Sequence, residues 1–528
     1  MKKRKVKPAK RPISMFAALC LMFAAVMGRT AYIGGLSSYP AAARNESVRR
    51  YTLGESRGKI YDINMTPFYP YEEKTVCVKL TPTIGNGGGF AVVDEGGGTA
   101  DGDGSCRSEN VTVTKQISLN TSCRHIIGYL NGSGHGVCGI QRAFDRILSE
   151  ASGSVAAEYS VNAVGQPLPG AGVEIKKNNY NSPAGVVLTV DIRIQQIVEN
   201  ALDNSDIECG ACVVLRPSTG EILASASVPT YDVASLSHAL TDTRKPFLNR
   251  ALCAYPVGSV FKPFIAAAAA SDGADLEAEY DCKGSVRVGD VTFNCYDHRQ
   301  HGKITLTGAV ENSCNCYFVE KGLSASPETI YNVCSAFGFG KGVRLFSGTE
   351  SAAGNMPHYD KDSQRGQIAN LCFGQGELLA TPLQIAAAYG ALANGGTYKE
   401  PYILKYLVND SGEKYAEYRS EASETAASPE TCRRINEALY MNMLDGTGKN
   451  GRPDVCSSAG KTATAQTGEY DESGRERLCT WFAGFFPFES PEYVVVVFNE
   501  NGSAAAVDCA PVFKEIAENI TIAEKSPT

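Results

Sequence analysis

Hydrophobic and polar positions divide the chain into three regimes. Ile13–Met27 is 15 residues without a charge, broken only by Ser14. As a helix it spans ~22 Å, short of the ~30 Å hydrocarbon core, and extension past Arg29 to Ile33 restores the length. Arg29 then snorkels toward the outer headgroups. Residues 1–12 carry seven Lys and Arg and no acid. That asymmetry predicts a cytoplasmic tail (1–12), a single-pass cell-membrane anchor (13–33) and everything beyond it extracytoplasmic. The small residues Ala41–Ala43 lie too far past the apolar run for a signal-peptide cleavage site, so the anchor is expected to stay.

Residues 37–180 are rich in Gly, Ser and Asn, with short strand-like runs such as Lys74–Leu80, and read as a small β-rich domain. Gly85–Ser105 reads as a flexible loop; its glycines lack the Lys-Ser/Thr ending of a phosphate cradle. From residue 185 the pattern turns globular. Val186–Val190 is strand-like, Ile192–Leu202 has helical spacing, and Cys212–Leu215 and Glu221–Ser227 flank a turn at Arg216–Gly220. Ser326-Pro327, Thr381-Pro382 and Ser428-Pro429 each place a hydroxyl N-cap before a first-turn proline, predicting helices to about Phe337, Asn394 and Leu444. Lys461–Thr467, Thr480–Phe486 and Tyr493–Asn499 read as consecutive strands. The expectation for 185–525 is one α/β domain, an antiparallel sheet covered by helices on both faces.

Composition narrows the function. Of 528 residues, 43% are apolar and 20% charged, which excludes a disordered protein. Setting the tail's seven positives aside from the net charge of −7 leaves −14 for the rest, the wrong sign for a nucleic-acid binder. Eighteen cysteines have no zinc-finger pattern. Cys209 and Cys212 form a CxxC, but it runs into the apolar strand at Val213 with no second pair. Cys314 and Cys316 read as packing, and Cys282 and Cys295, bracketing a short hairpin, are the best-placed disulfide pair. No metal and no cofactor is expected.

Three short segments carry chemistry. In Ser259-Val-Phe-Lys262, positions i and i+3 share a helical face, so an amine can meet a hydroxyl. A free serine is a poor nucleophile and needs such a base. A lysine between Phe261 and an alanine-rich helix loses charge through desolvation. Pro263 is tolerated only in a first turn, which puts Ser259 at a helix N-terminus. The second segment is Ser313-Cys-Asn315. The third is Lys461-Thr-Ala-Thr464 on a strand, where Lys461 and Ala463 face one way and Thr462 and Thr464 the other.

In this order the three segments form the set found in penicillin-binding proteins and class A β-lactamases. The chain resembles a class B penicillin-binding protein, a membrane-anchored peptidoglycan D,D-transpeptidase. Arg57-Gly-Lys-Ile60 with Asp62 is similar to the opening of that family's N-terminal pedestal. Leu188-Thr-Val-Asp191 with Gln195, Tyr255-Pro-Val-Gly258, Gly374-Gln-Gly376, Thr381-Pro-Leu-Gln384 and Gly446-Thr447 fit its transpeptidase domain. The resemblance implies that Ser259 attacks the penultimate D-Ala carbonyl of a stem peptide and that Lys262 takes its proton. It further implies that Ser313 relays a proton to the leaving amine and that Asn315 holds the substrate peptide. Lys461 would supply positive charge, Thr462 and Thr464 would bind the terminal carboxylate, and the N–H groups of Ser259 and Thr464 would form an oxyanion hole. The implied partners are stem peptides, β-lactams as covalent inhibitors, the membrane and a polytopic membrane glycan polymerase, and no nucleic acid.

Two departures stand out. The family's third segment reads Lys-Thr-Gly, and this chain has Ala463; one methyl in a tight gap costs about 1–3 kcal/mol. Asp62-Ile-Asn-Met65 also leaves the pedestal pattern. The alternative reading is therefore a catalytically weakened scaffold or a β-lactam sensor in a cell-wall complex.

Overall fold

The computed structural model describes residues 10–35, 47–69, 71–81, 89–94, 108–116, 122–162, 164–168, 171–360, 364–420 and 423–525. Lys10–Gly35 is one helix, and within it the 19 residues Ser14–Tyr32 are apolar and long enough to cross a membrane. The chain forms two compact units that alternate along the sequence. One comprises Met1–Ser56, Tyr71–Lys115 and Ser152–Asn181; the other comprises Arg57–Pro70, Gln116–Ala151 and Ser182–Thr528.

The first unit holds two three-stranded sheets. Val48–Ser56, Gly153–Ser160 and Val173–Asn178 pair antiparallel around the middle strand, and Tyr71–Thr81 lies between Gly89–Asp94 and Ser108–Gln116. Val76, Val78, Leu80, Val111, Val113, Val155, Ala157 and Val173 form its core. The strand Gly89–Asp94 corrects the expectation of a loop over Gly85–Ser105. Its Phe-Ala-Val-Val run has the β-branched character that pairs with Lys74–Leu80, and that outweighs the flanking glycines. The remainder of that stretch lies outside the described residues.

The second unit is built on a five-stranded antiparallel sheet. Its order is Ile222–Val228, Gly210–Leu215, Tyr493–Gly502, Glu476–Phe486 and, at the edge, Ala459–Tyr470. Successive side chains point to opposite faces, and both faces are covered. Cys212, Val214, Phe482, Val495 and Val497 pack under Ile192–Asp203 and the C-terminal helix Ala510–Lys525. On the other face Leu215 and Val494 meet Gly390 of the helix Pro382–Ala393. The three hydroxyl–proline starts open helices Pro327–Ala336, Pro382–Ala393 and Pro429–Leu444, each capped by its Ser or Thr side chain. At Thr381 the cap is reciprocal, because Gln384 accepts from the Thr381 N–H in return.

Segments 57–70 and 116–151, which composition groups with the 37–180 region, pack within this second unit. Lys59–Tyr61 runs parallel to Gly185–Leu188, which pairs antiparallel with Leu404–Val408. Arg57 reaches Asp145 at 2.7 Å and Ser149 at 2.6 Å. Asp62 has no solvent exposure and accepts from the backbone N–H groups of Asn64 (2.9 Å), Thr66 (2.7 Å) and Ile192 (3.3 Å). Asn64, in the stretch where Ile63 and Met65 depart from the pedestal pattern, donates to Asp191 at 3.1 Å. Asp62→Ala should strand these donors, costing about 2–4 kcal/mol and lowering the thermal midpoint by about 3–6 °C, with Asp62→Asn falling between the two. Differential scanning fluorimetry on the three proteins checks it.

Candidate active site

Ser259 sits on a 3-10 turn, Gly258–Phe261, that runs into the helix Lys262–Ser271. Pro263 lies in the first helical turn, where its missing N–H costs nothing. The helix is buried all round: Phe264 and Ala266–Ala269 have no exposure. Phe261, Phe264, Phe337, Phe339 and Tyr389 pack edge to face or tilted around its start. The Tyr389 hydroxyl donates to Val260 O at 3.1 Å, and Trp481 Nε1 donates to Pro256 O at 2.9 Å. The segment entering Ser259 is thus fixed to the sheet on one side and to a helix on the other.

A rigid backbone contact completes the turn. Gly258 N donates to Gly374 O at 2.8 Å, and a Cβ on Gly374 would lie 1.9 Å from Gly258 O. Both glycines have positive φ (68° and 81°), so the Gly374-Gln-Gly376 segment is shaped to receive the Ser259 turn.

Lys262 is fully buried, and all three of its N–H donors are used. Nζ donates to Ser313 O at 2.6 Å, Asn315 Oδ1 at 2.7 Å and Ser313 Oγ at 3.2 Å. Ser313 Oγ donates in turn to Ser259 Oγ at 3.1 Å. The hydrogen-bonded route from the Lys262 amine to the Ser259 hydroxyl therefore runs through Ser313. Burial pushes the Lys262 amine down to about 8. Ser313 holds a positive φ of 51°, a conformation β-carbon residues avoid, at the junction of helices Leu306–Glu311 and Asn315–Ser324. Asn315 Nδ2 donates to Asn294 O at 2.9 Å.

Lys461 is buried on the edge strand, where Nζ donates to Thr462 O at 3.0 Å and Thr447 Oγ1 at 3.2 Å. Burial, then the nearby charge of Lys262, hold its amine well below the usual lysine range. Sequence reasoning missed Asn442, which has no exposure. It accepts from the Thr447 hydroxyl at 3.1 Å and donates to Gly460 O at 2.7 Å, tying the Gly446-Thr447 turn to the Lys461 strand. A polar residue on the buried face of the helix Pro429–Leu444 was its only signal.

Not every residue converges by its side chain. Thr462, buried, and Thr464, exposed, pair across the ladder with Phe482 and Thr480, on the face opposite Lys461 and Ala463. Thr464 Oγ1 accepts from Ala505 N at 3.4 Å. Ala463 is buried beside Gly258: a Cβ on that glycine would stand 3.3 Å from the Ala463 methyl and 3.1 Å from Ala465. The glycine on the turn makes room for the methyl on the strand.

This second unit, sheet and turn together, is of the penicillin-recognising transpeptidase type. Residues 210–518 match the family described as the penicillin binding protein transpeptidase domain, and the chain belongs to it, among the class B members. It is 31% identical to stage V sporulation protein D of Bacillus subtilis over 396 residues, 71% of this chain and 58% of that one. It is 27% identical to the peptidoglycan D,D-transpeptidase MrdA of Haemophilus influenzae over 418 residues, 72% and 62% of the two chains. The chain thus spans about three fifths of these relatives' lengths. The transpeptidase domain from Eggerthella lenta superposes with a TM-score of 0.65 at 22% identity, covering 89% of this chain and 99% of that one. The penicillin G acyl-enzyme of penicillin-binding protein A from M. tuberculosis superposes at 0.65 and 21%, covering 88% and 99%.

Ala463→Gly should leave the rate of labelling by fluorescent penicillin within about twofold and lower stability by about 1 kcal/mol through strand entropy. Gly258→Ala, strained by its φ and crowded by two methyls, should lose labelling and destabilise by about 1–3 kcal/mol. Labelling rates and melting curves on both variants read this out.

Proposed function

We propose that this chain is a serine-type peptidoglycan D,D-transpeptidase, anchored in the cell membrane by residues 13–33 with its basic tail (1–12) cytoplasmic and its catalytic domain outside. The observation that carries the reading is the continuous link from the buried Lys262 amine through Ser313 Oγ to Ser259 Oγ. Neutral Lys262 draws the Ser259 proton through Ser313 as Oγ attacks the penultimate D-Ala carbonyl of a stem peptide. The C–N bond breaks, Ser313 passes a proton to the departing amine of D-Ala, and an ester remains on Ser259. The amine of a second stem peptide then attacks the ester, forms the cross-link and returns the proton to Ser259.

The N–H groups of Ser259 and Thr464 receive the developing oxyanion, worth about 3–4 kcal/mol per donor. Lys461 supplies positive charge near the substrate's terminal carboxylate, which the Thr462–Thr464 edge of the strand also faces through its backbone. Asn315, held by Lys262 and Asn294, positions the substrate peptide. A β-lactam enters the same path: its ring amide opens on Ser259 and the acyl group stays. The penicillin G acyl-enzyme of a protein with this fold supports that reading. The residues 37–180 act as a pedestal, and a polytopic membrane glycan polymerase supplies the glycan strands. The scaffold alternative rests on Ala463, and the space left by Gly258 weighs against it.

Labelled penicillin should attach to Ser259 alone. Ser259→Ala should abolish the label with its melting point unchanged, and Lys262→Met should slow acylation by ~10²–10⁴-fold. Label retained on Ser259→Ala, read by intact mass, would sink the mechanism. Protease added to wall-stripped cells should digest the chain beyond Ile33; its protection would defeat the topology.

A further inference from the structure

The loop between the helix Pro429–Leu444 and the strand Ala459–Tyr470 borders a cavity of about 400 Å³. Its wall is apolar on the helix side, from Tyr440, Met443 and Leu444, and polar on the loop side, from Arg452, Ser457 and Ser458. The Tyr440 ring is held by a stack on Phe488, with centroids 4.4 Å apart. One water takes a share of ~30 Å³, so the space is far larger than a single water needs. It is the size of a small-molecule site.

Two polar groups in that wall are unused. Ser458 is 2% exposed, and its hydroxyl has no hydrogen-bond partner among the described residues. A buried hydroxyl left in that state is costly. Arg452 is exposed at the rim and makes no ion pair among the described residues. The neighbouring charges are engaged elsewhere. Asp454 holds Lys514 at 2.8 Å, and its N–H donates to Glu518 at 2.7 Å. Ser457 donates its hydroxyl to Glu489. The cavity therefore offers one uncompensated cation and one unsatisfied donor beside an apolar wall.

We propose that this cavity is a second binding site, apart from the Ser259 centre, for the carboxylate of a small acylated amino acid or peptide end. The Arg452 guanidinium matches the two carboxylate oxygens, the Ser458 hydroxyl donates to one of them, and Tyr440, Met443 and Leu444 cover the apolar body. A phosphate would meet the same two polar groups and leave the apolar wall bare. The location couples the site to Lys461. Ser458 lies three residues before it, and Met443 follows Asn442, which holds Gly460 O at 2.7 Å and the Thr447 hydroxyl at 3.1 Å. An occupant bridges the helix end and the strand start that Asn442 joins, and so steadies Lys461. Occupancy then quickens acylation of Ser259, whereas a carboxylate bound in the Ser259 centre itself would slow it by competition.

The test uses the full-length chain in detergent and rests on the proposed function only in its labelling arm. Calorimetry should find one N-acetyl-D-alanine bound per chain, with N-acetyl-D-alaninamide at least tenfold weaker and inorganic phosphate at least fivefold weaker. Arg452→Ala and Ser458→Ala should each weaken N-acetyl-D-alanine at least tenfold, and Arg452→Lys should fall in between. Without the probe, Ser458→Ala should melt no lower than the unaltered protein, because it removes an unsatisfied hydroxyl. Lys449→Ala removes a charge outside the cavity and should bind as before. Saturating N-acetyl-D-alanine should speed penicillin labelling at least twofold. Absence of binding, equal affinity for the amide, or full affinity in both Arg452→Ala and Ser458→Ala would overturn the site. Phosphate binding as tightly as N-acetyl-D-alanine would overturn its carboxylate preference, and unchanged or slower labelling would overturn the coupling to Lys461. If the probe binds and Ser259 takes no penicillin, the proposed function fails and the site stands.

Discussion

A lysine amine removed from water must find its partners inside the protein, and the region around Ser259 is organised by that demand. Lys262 takes the Ser313 carbonyl, the Ser313 hydroxyl and the Asn315 side chain, one for each N–H. Meeting those three acceptors fixes the junction between two helices in a conformation that Ser313 would not adopt alone. It also leaves the amine easier to deprotonate. Lys461, buried nearby, adds a like charge, so the two amines discourage one another from carrying protons together. A single act of burial thus supplies a rigid site and an amine that the proposed reaction uses as its base.

Much of this was legible in the sequence because it is local. The hydroxyl–proline helix starts, the alternating valines of the central strands and the Ser-x-x-Lys spacing each depend on residues within a few positions of one another. The misses are long-range. Nothing near Arg57 or Asp62 says that their partners are Asp145 and Ile192. The strand at Phe90 was hidden by glycines on both sides, and its pairing partner decided the matter. Asn442 looked like one more polar residue on a helix until its burial was seen.

The cysteines show the same limit most sharply. Cys282, Cys295 and Cys314 have 12 and 18 residues between them along the chain, yet their sulfurs lie 3.7, 3.6 and 3.4 Å apart. Cys282 ends the strand Tyr280–Cys282 and Cys295 follows Val291–Asn294, and these ribbons bring both to Cys314 at the start of the helix Asn315–Ser324. The Cys282–Cys295 disulfide expected from the sequence is replaced by two buried free thiols 3.7 Å apart, with Cys314 beside them.

The alternation of the two units along the chain has a practical bearing on where the molecule can be cut. Lys59–Tyr61 lies beside Gly185–Leu188 and occupies that strand's backbone groups. A fragment begun at residue 185 would bare them, presenting an open hydrogen-bonding edge on four buried residues. Such an edge is a template for a second chain. A soluble piece that starts after the anchor but before Arg57 keeps the edge closed, whereas one trimmed to the apparent domain start is built to stick to its neighbours.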